Sequence, residues 1–345
     1  MSGTDLLAGL AVVEVAQGIA GPMCGKVLTD LGAIVIRVET PEGDWLQRLG
    51  TPGAAAVGAQ LNAGKRIVAA DVATAGGRAT VQALIREAGI CVVDRPRARQ
   101  AALGIDYAAL SASAPGLIHC LISGWGSTGP LADRSASELA VQVASGMTQY
   151  LGTRDKPPVR QGFDLVSVDT GIAAVQAILA AVLWRERSGQ GQDVEVSMLA
   201  TAVALMQWAT AAQSGPDAWL GRQLLAQDWP SDHGFQCADT RCLIDLRGNE
   251  EAWPGLLRDI GCDALAADPR FTSKTAIDLH GTLLPELTAA RMSAWSFGDL
   301  ERLVRDKYDG TIVPMLAIPE VIAHPQVRHL GLIADGRIRF PMEVR

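Results

Sequence analysis

Apolar positions in the first 125 residues fall into short, almost unbroken runs, separated by turn residues and by stretches of helical period. Leu10–Val15 is the first run, Gly18-Ile19-Ala20-Gly21-Pro22 reads as a turn, and Cys24–Leu31 as a helix stopped by Gly32. Ala33–Val38 is the next strand. The pattern then repeats: strand Arg66–Val72, helix Gly77–Ala88, strand Ile90–Asp94, helix Tyr107–Ala112, strand Leu117–Gly124. Runs such as AIVIRV and LIHCLIS have almost no polar face, as parallel strands covered on both sides require. Alternating strands and helices of this kind predict a doubly wound α/β layout.

Two strongly apolar helices are expected next, Gly171–Arg187 and Val196–Gln213, joined by S-G-Q-G-Q-D. The apolar stretch Ile172–Trp184, about 13 residues, is shorter than the ~20 that a bilayer span needs, and reads as a buried core helix. Residues 214–232 are rich in Gly, Pro and Asp and read as a linker or active-site loop. FQCADTRCLIDL (235–246) resembles a hairpin, Glu250 to Lys307 carries helical segments, and Thr311–Ile318 reads as a return strand. The expected division is a large Rossmann-like domain, 1–213 with 311–345, and a linker with a small α+β domain at 214–310.

The 345 residues carry a net charge of −7 and are 48% hydrophobic, a globular balance that excludes a disordered chain. The basic excess of a nucleic-acid binder is missing. The segment MSGTDLLAGLAVVEV lacks the positive start and cleavable core of a secretory leader, so neither export nor a membrane partner is expected. Six cysteines without a C-x-x-C pair fit reduced, buried thiols in the cytoplasm. His119, His233, His280, His324 and His329 share no ligand spacing, and no metal site is expected.

Chemistry is expected at the carboxyl ends of the strands. Gly18-x-x-Gly21 could set amide N–H groups against a phosphate, although a dinucleotide fingerprint needs one more glycine, even with Glu39 ending the second strand. Gly124-Trp125-Gly126-Ser127-Thr128-Gly129-Pro130 reads as a flexible loop at that edge. Arg95, Arg97 and Arg99 follow a strand there, either as an anion contact or as a solvated charge run. In Asp164–Gly171, Ser167, Asp169 or Thr170 could cap an apolar helix, and a carboxylate there would be held ionised by the helix end. No G-x-S-x-G elbow is present.

Taken in order, VVEVAQGIAGPMCGKVLTDLGAIVIRVE (12–39), NAGKRIVAADV (62–72), LGIDYAALSASAPGLIHCLISGWGSTGP (103–130), ERSGQGQDVEVSML (186–199), FQCADTRCLIDL (235–246) and DPRF (268–271) resemble the family III CoA-transferases. That group includes formyl-CoA transferase, carnitine CoA-transferase and α-methylacyl-CoA racemase. The resemblance implies a Rossmann-like large domain, a smaller domain and two interlocked chains. It also implies an aspartate nucleophile that passes through a mixed anhydride and an aspartyl-CoA thioester.

This sequence departs from the family pattern where the chemistry sits. The motif P-x-R-x-G-x-x-x-A-D-x-x-x-G, laid without gaps on Pro158–Gly171, puts Ser167 at the nucleophile position, with Asp169 two residues on. The racemases' histidine position falls on Ser137, and the neighbouring acid is Glu138. The CoA turn N-F-x-P-G falls on Asp94-Arg95-Pro96-Arg97-Ala98, basic positions fall on Ala73 and Thr40, and the sequence stops at FPMEVR, before the family's A-P-x-L-G-E-H-T-like tail. CoA or an acyl-CoA is thus expected as a weakly held co-substrate, with no covalent cofactor. Ala20, Arg95, Arg97, Gly124 and Gly126 are the expected binding residues. Three functions follow: a repurposed enzyme doing isomerisation, elimination or cyclisation with Glu138, Asp169 and Ser167; CoA transfer by another nucleophile such as Asp169; or a non-catalytic subunit. The expected partners are a small-molecule substrate and a second copy, or a related chain in a heterodimer.

Overall fold

The apolar runs pair into one parallel sheet. Its strands are β1 (Ala11–Val15), β2 (Ile34–Glu39), β3 (Arg66–Ala69), β4 (Ile90–Val93), β5 (Ile118–Ser123) and β6 (Gln192–Ser197), in the order β3-β2-β1-β4-β5-β6. Val13 lies opposite Ile36 on one side and Cys91 on the other, which fixes the central register. A computed structural model supplies these coordinates; it describes residues 6–150, 157–207, 234–246, 249–334, 337–338 and 341. They fall into two units, one within Met1–Ala211 and His329–Arg345, the other within Ala212–Arg328.

The helices of the first unit are α1 (Ala20–Asp30), α2 (Trp45–Arg48), α3 (Pro52–Asn62), α4 (Ala75–Ala88), α5 (Arg97–Leu103), α6 (Tyr107–Ser111), α7 (Glu138–Ala144), α8 (Leu165–Ser188) and α9 (Met198–Leu205). α1 and α8 cover one sheet face, packing Cys24, Leu28, Ala174 and Ile178 on Val12, Val92 and Cys120. On the other face Val81 and Ile85 of α4 meet Val13, Cys91 and Leu121. The layout is the doubly wound α/β one that the alternation predicts. All six cysteines are free and buried.

Several elements differ from expectation for local reasons. α1 starts at Ala20, so Pro22 sits in its first turn, where the missing N–H has no helical partner to lose. Gln192–Ser197 is a strand rather than the run-in to a helix: D-V-E-V-S alternates with period two, and Ser197 then caps α9 by accepting from Ala200 N–H at 3.1 Å. The rest of the expected 196–213 helix and the 214–232 loop lie outside the described residues. α8 has 24 residues and by length and composition could cross a membrane; here it lies on the sheet with 44% of its apolar window buried.

The second unit carries β7 (Phe235–Gln236), β8 (Arg241–Asp245) and β9 (Thr311–Pro314) in an antiparallel sheet, with helices between residues 253 and 308 packed on it. β9 belongs here because Ile312, opposite Ile244 of β8, is buried with it. Residues 311–328 therefore fall in the smaller unit, not in the large domain as expected from sequence, and the return strand ends at Pro314.

Candidate active site

A cavity of 720 Å³ opens at the carboxyl edge of the six-stranded sheet. The loop after β1 (Gln17–Gly21), the turn after β4 (Asp94–Ala98), the end of β5 with Gly124–Ser127, the segment 132–139, and Asp164, Ser167 and Met198 line it. β1 and β4 are neighbours whose onward connections run in opposite directions, the switch point at which open α/β sheets take ligands. Two glycines draw the walls together. A Cβ on Gly171 would lie 2.6 Å from the Ala20 carbonyl, so only glycine lets α8 start beside α1. A Cβ on Gly124 would lie 2.1 Å from Ala136 Cβ, which brings the loop onto the segment leading to Glu138.

The structure brings together Ala20, Arg95, Arg97, Gly124, Gly126, Glu138 and Ser167 of the sequence-derived candidates, along with Ser137. Asp169 is not among the lining residues. Two positions along a helix are about 200° around its axis, so Ser167 and Asp169 face different ways. Asp169 is half-buried, and burial pushes its carboxyl pKa up.

Ser167 and Glu138 form a close polar pair in the cavity wall. Ser137 caps α7 and sets Glu138 at its first position. Glu138 Oε2 accepts from Ser167 Oγ at 2.6 Å and from Ser167 N–H at 2.8 Å. Glu138 Oε1 accepts from Val166 N–H at 3.0 Å and from Gln142 Nε2 at 2.8 Å. Asp164 stands at the N-cap of α8 with no side-chain capping bond, so Glu138 caps that helix from outside. Gln142, fully buried, also accepts from Gln161 N–H at 3.0 Å and so ties α7 to the approach to α8.

The cations of the turn after β4 differ in what they are free to do. Arg97 reaches Asp193 at 2.6 Å and Glu195 at 3.5 Å, both on β6, so it is already neutralised. Glu195 also accepts from Ser123 Oγ at 2.7 Å and from Ser127 Oγ, which fastens the glycine loop to the sheet's edge. These contacts hold the carboxyls of Asp193 and Glu195 below their usual range against the opposing effect of burial. Arg95 Nε, in contrast, is buried with no hydrogen-bond partner. Asp94 Oδ2 accepts from Gln17 N–H at 2.6 Å, and burial pushes its pKa up to about 6. Sequence reasoning missed Gln142, Asp193 and Glu195, and read Asp94 only as an obstacle to CoA. An acid directly after a fully apolar run was the available signal for Asp94. Among the described residues no cluster of His, Cys, Asp and Glu could hold a metal ion.

Residues 7–342 match the sequence pattern of CoA-transferase family III. The chain belongs to that family. A succinate–glutarate CoA-transferase of Agrobacterium fabrum is 33% identical over 345 residues, spanning 95% of this chain and 84% of that protein. An acetyl-CoA:oxalate CoA-transferase of Acetobacter aceti is 31% identical over 271 residues, 76% of this chain and 69% of that one. A solved CaiB/BaiF family protein from Brucella suis superposes with a TM-score of 0.88 at 30% identity, covering 98% of this chain and 92% of that one.

Ser167, which the sequence pattern sets at the nucleophile position, lies in the cavity wall. Glu138 is the partner of its hydroxyl.

Proposed function

We propose that this family III protein binds an acyl-CoA, or a related metabolite, and transforms its acyl group by acid/base chemistry: isomerisation, elimination or cyclisation. The observation that carries this reading is the Ser167 hydroxyl in the cavity wall, bonded to Glu138 at 2.6 Å. A transferring aspartate offers a carbonyl carbon that CoA can attack to give an enzyme-bound thioester. A serine hydroxyl offers none, and Asp169 is not among the lining residues. A 720 Å³ cavity with cations and carboxylates in its walls supports a reaction on a bound metabolite. Arg97 is engaged by two carboxylates, which supports weak binding of the CoA phosphates. The reading carries with it a homodimer, or a pairing with a related chain. It also carries a cytoplasmic setting, supported by six free buried thiols.

The test incubates the purified protein with acetyl-, propionyl- or succinyl-CoA in D₂O, with and without an excess of an acceptor carboxylic acid. Mass spectrometry follows both products. The expected result is deuterium at the acyl α-carbon with no CoA on the acceptor acid. CoA on the acceptor, lost in Ser167→Ala, would overturn the proposal in favour of CoA transfer, the reading that the names of the relatives favour.

A further inference from the structure

We propose that Asp94 moves the proton in this cavity, while Glu138 serves as the fixed cap of α8. The inference rests on the acid/base reading above and names the group that performs it. Glu138 is poorly placed to act as the base. Each of its oxygens already accepts two hydrogen bonds, from Val166 N–H and Gln142 on one, and from Ser167 N–H and Oγ on the other. A carboxylate oxygen has two lone pairs, so a substrate proton could reach Glu138 only by displacing a bond that holds α8.

Asp94 is arranged differently. It follows the fully buried strand β4 directly, so a rigid element projects it into the cavity at the switch point between β1 and β4. Gln17 N–H holds Oδ2 at 2.6 Å. Apart from that bond and the contact with its own N–H, no donor engages Asp94 among the described residues, which leaves lone pairs for a substrate. Arg95, on its own turn, favours the charged form, and Glu14 on β1 opposes it; burial is the larger influence, and the pKa of about 6 leaves both forms populated near neutrality. Arg95 lines the same cavity with its Nε buried and unpartnered, a donor suited to an oxygen that gains negative charge.

The step balances without a further reactant. The acyl Cα–H bond breaks, an O–H bond forms on Asp94, and the electron pair delocalises onto the thioester oxygen as an enolate. Return of the proton to carbon, after exchange with water, completes the cycle. Asp94→Asn keeps the shape and the acceptor for Gln17 N–H, and it is the residue of the family's turn.

The experiment measures α-deuterium incorporation from D₂O against pH for the wild type and Asp94→Asn, with acetyl-, propionyl- and succinyl-CoA as probes. Binding of the same esters is followed by calorimetry. We expect a wild-type rate that rises with pH through about 6. In Asp94→Asn the exchange should fall at least ~100-fold, the limb near pH 6 should vanish, and the esters should bind as well as before or more tightly. Wild-type exchange that persists in Asp94→Asn with the same pH limb would overturn the role of Asp94 and leave the acid/base reading standing. No exchange by the wild type with any probe would overturn both.

Discussion

Glu138 is the residue on which the local structure turns. It accepts four hydrogen bonds from three residues: Val166 and Ser167 across the gap between α7 and α8, and Gln142 on its own helix. Glu138→Ala should strip the cap from α8 and leave its first N–H groups without acceptors, at a cost of about 2–4 kcal/mol in chemical denaturation. Ser167→Ala removes one bond and should cost about 1 kcal/mol. Equal costs for the two would mean that the cap contributes nothing beyond its contact with the hydroxyl. Ser167 and Glu138 were named from sequence only through the resemblance to the family's motifs, and the structure brings the two together in one wall. The geometry of the pair was not legible. The sequence offers Ser167, Asp169 and Thr170 as caps of their own helix, and nothing in it says that an acid 29 residues upstream does that work.

Among the elements, β1 and β2 are tied by charge as well as by ladder bonds. Glu14 on β1 pairs with Arg37 on β2 and with Lys65 at 2.7 Å, all three side chains being essentially out of contact with water. Arg37 reaches Asp44 at 2.8 Å, and Lys65 also donates to the Pro22 carbonyl at 2.7 Å in the first turn of α1. Burial pulls the Lys65 pKa down, and Glu14 resists that pull. Glu14→Leu would leave two buried cations facing an apolar side chain and should cost about 3–5 kcal/mol. Denaturant titration measures it, and a loss below about 1 kcal/mol would show that Arg37 and Lys65 find other partners. β1 and β2 were legible because burial on both faces leaves almost only apolar residues, with Glu14 and Arg37 as the mutually paired exceptions. β6 was not, since among the described residues one of its edges has no neighbouring strand and its Asp193 and Glu195 break the run. The start of α1 was misread because Gly and Pro signal a turn unless a first helical turn is already expected.

For the whole molecule, Asp94 sets an unusual acid–base balance. Its pKa is raised from 3.8 to about 6, so the folded chain holds that proton more firmly than the unfolded one. The contribution is therefore most favourable below pH 3.8, falls as pH rises to about 6, and is constant above. Asp94→Asn should accordingly stabilise the protein at pH 7.5 by up to about 3 kcal/mol, with the difference gone by pH 4. Melting curves at the two pH values decide it, and a variant no more stable at pH 7.5 would show that the carboxyl is better solvated than its surroundings indicate. Asp193 and Glu195 act in the opposite sense, since their lowered pKa values add stability that is lost as pH falls. The division into two units was legible from the change of pattern near Phe235. Its far boundary was not, because a strand that returns to either sheet reads the same. Among the described residues β6 also ends the parallel sheet on one side, and a strand edge without a neighbour is a template for an extended chain. The two acids of the run QDVEVS are turned to partners within the sheet's own unit: Asp193 to Arg97 and His119, Glu195 to Arg97, Ser123 and Ser127. Losing both acids would release Arg97, Ser123 and Ser127 together, so the turn after β4, the glycine loop and the last strand of the sheet would loosen as one unit.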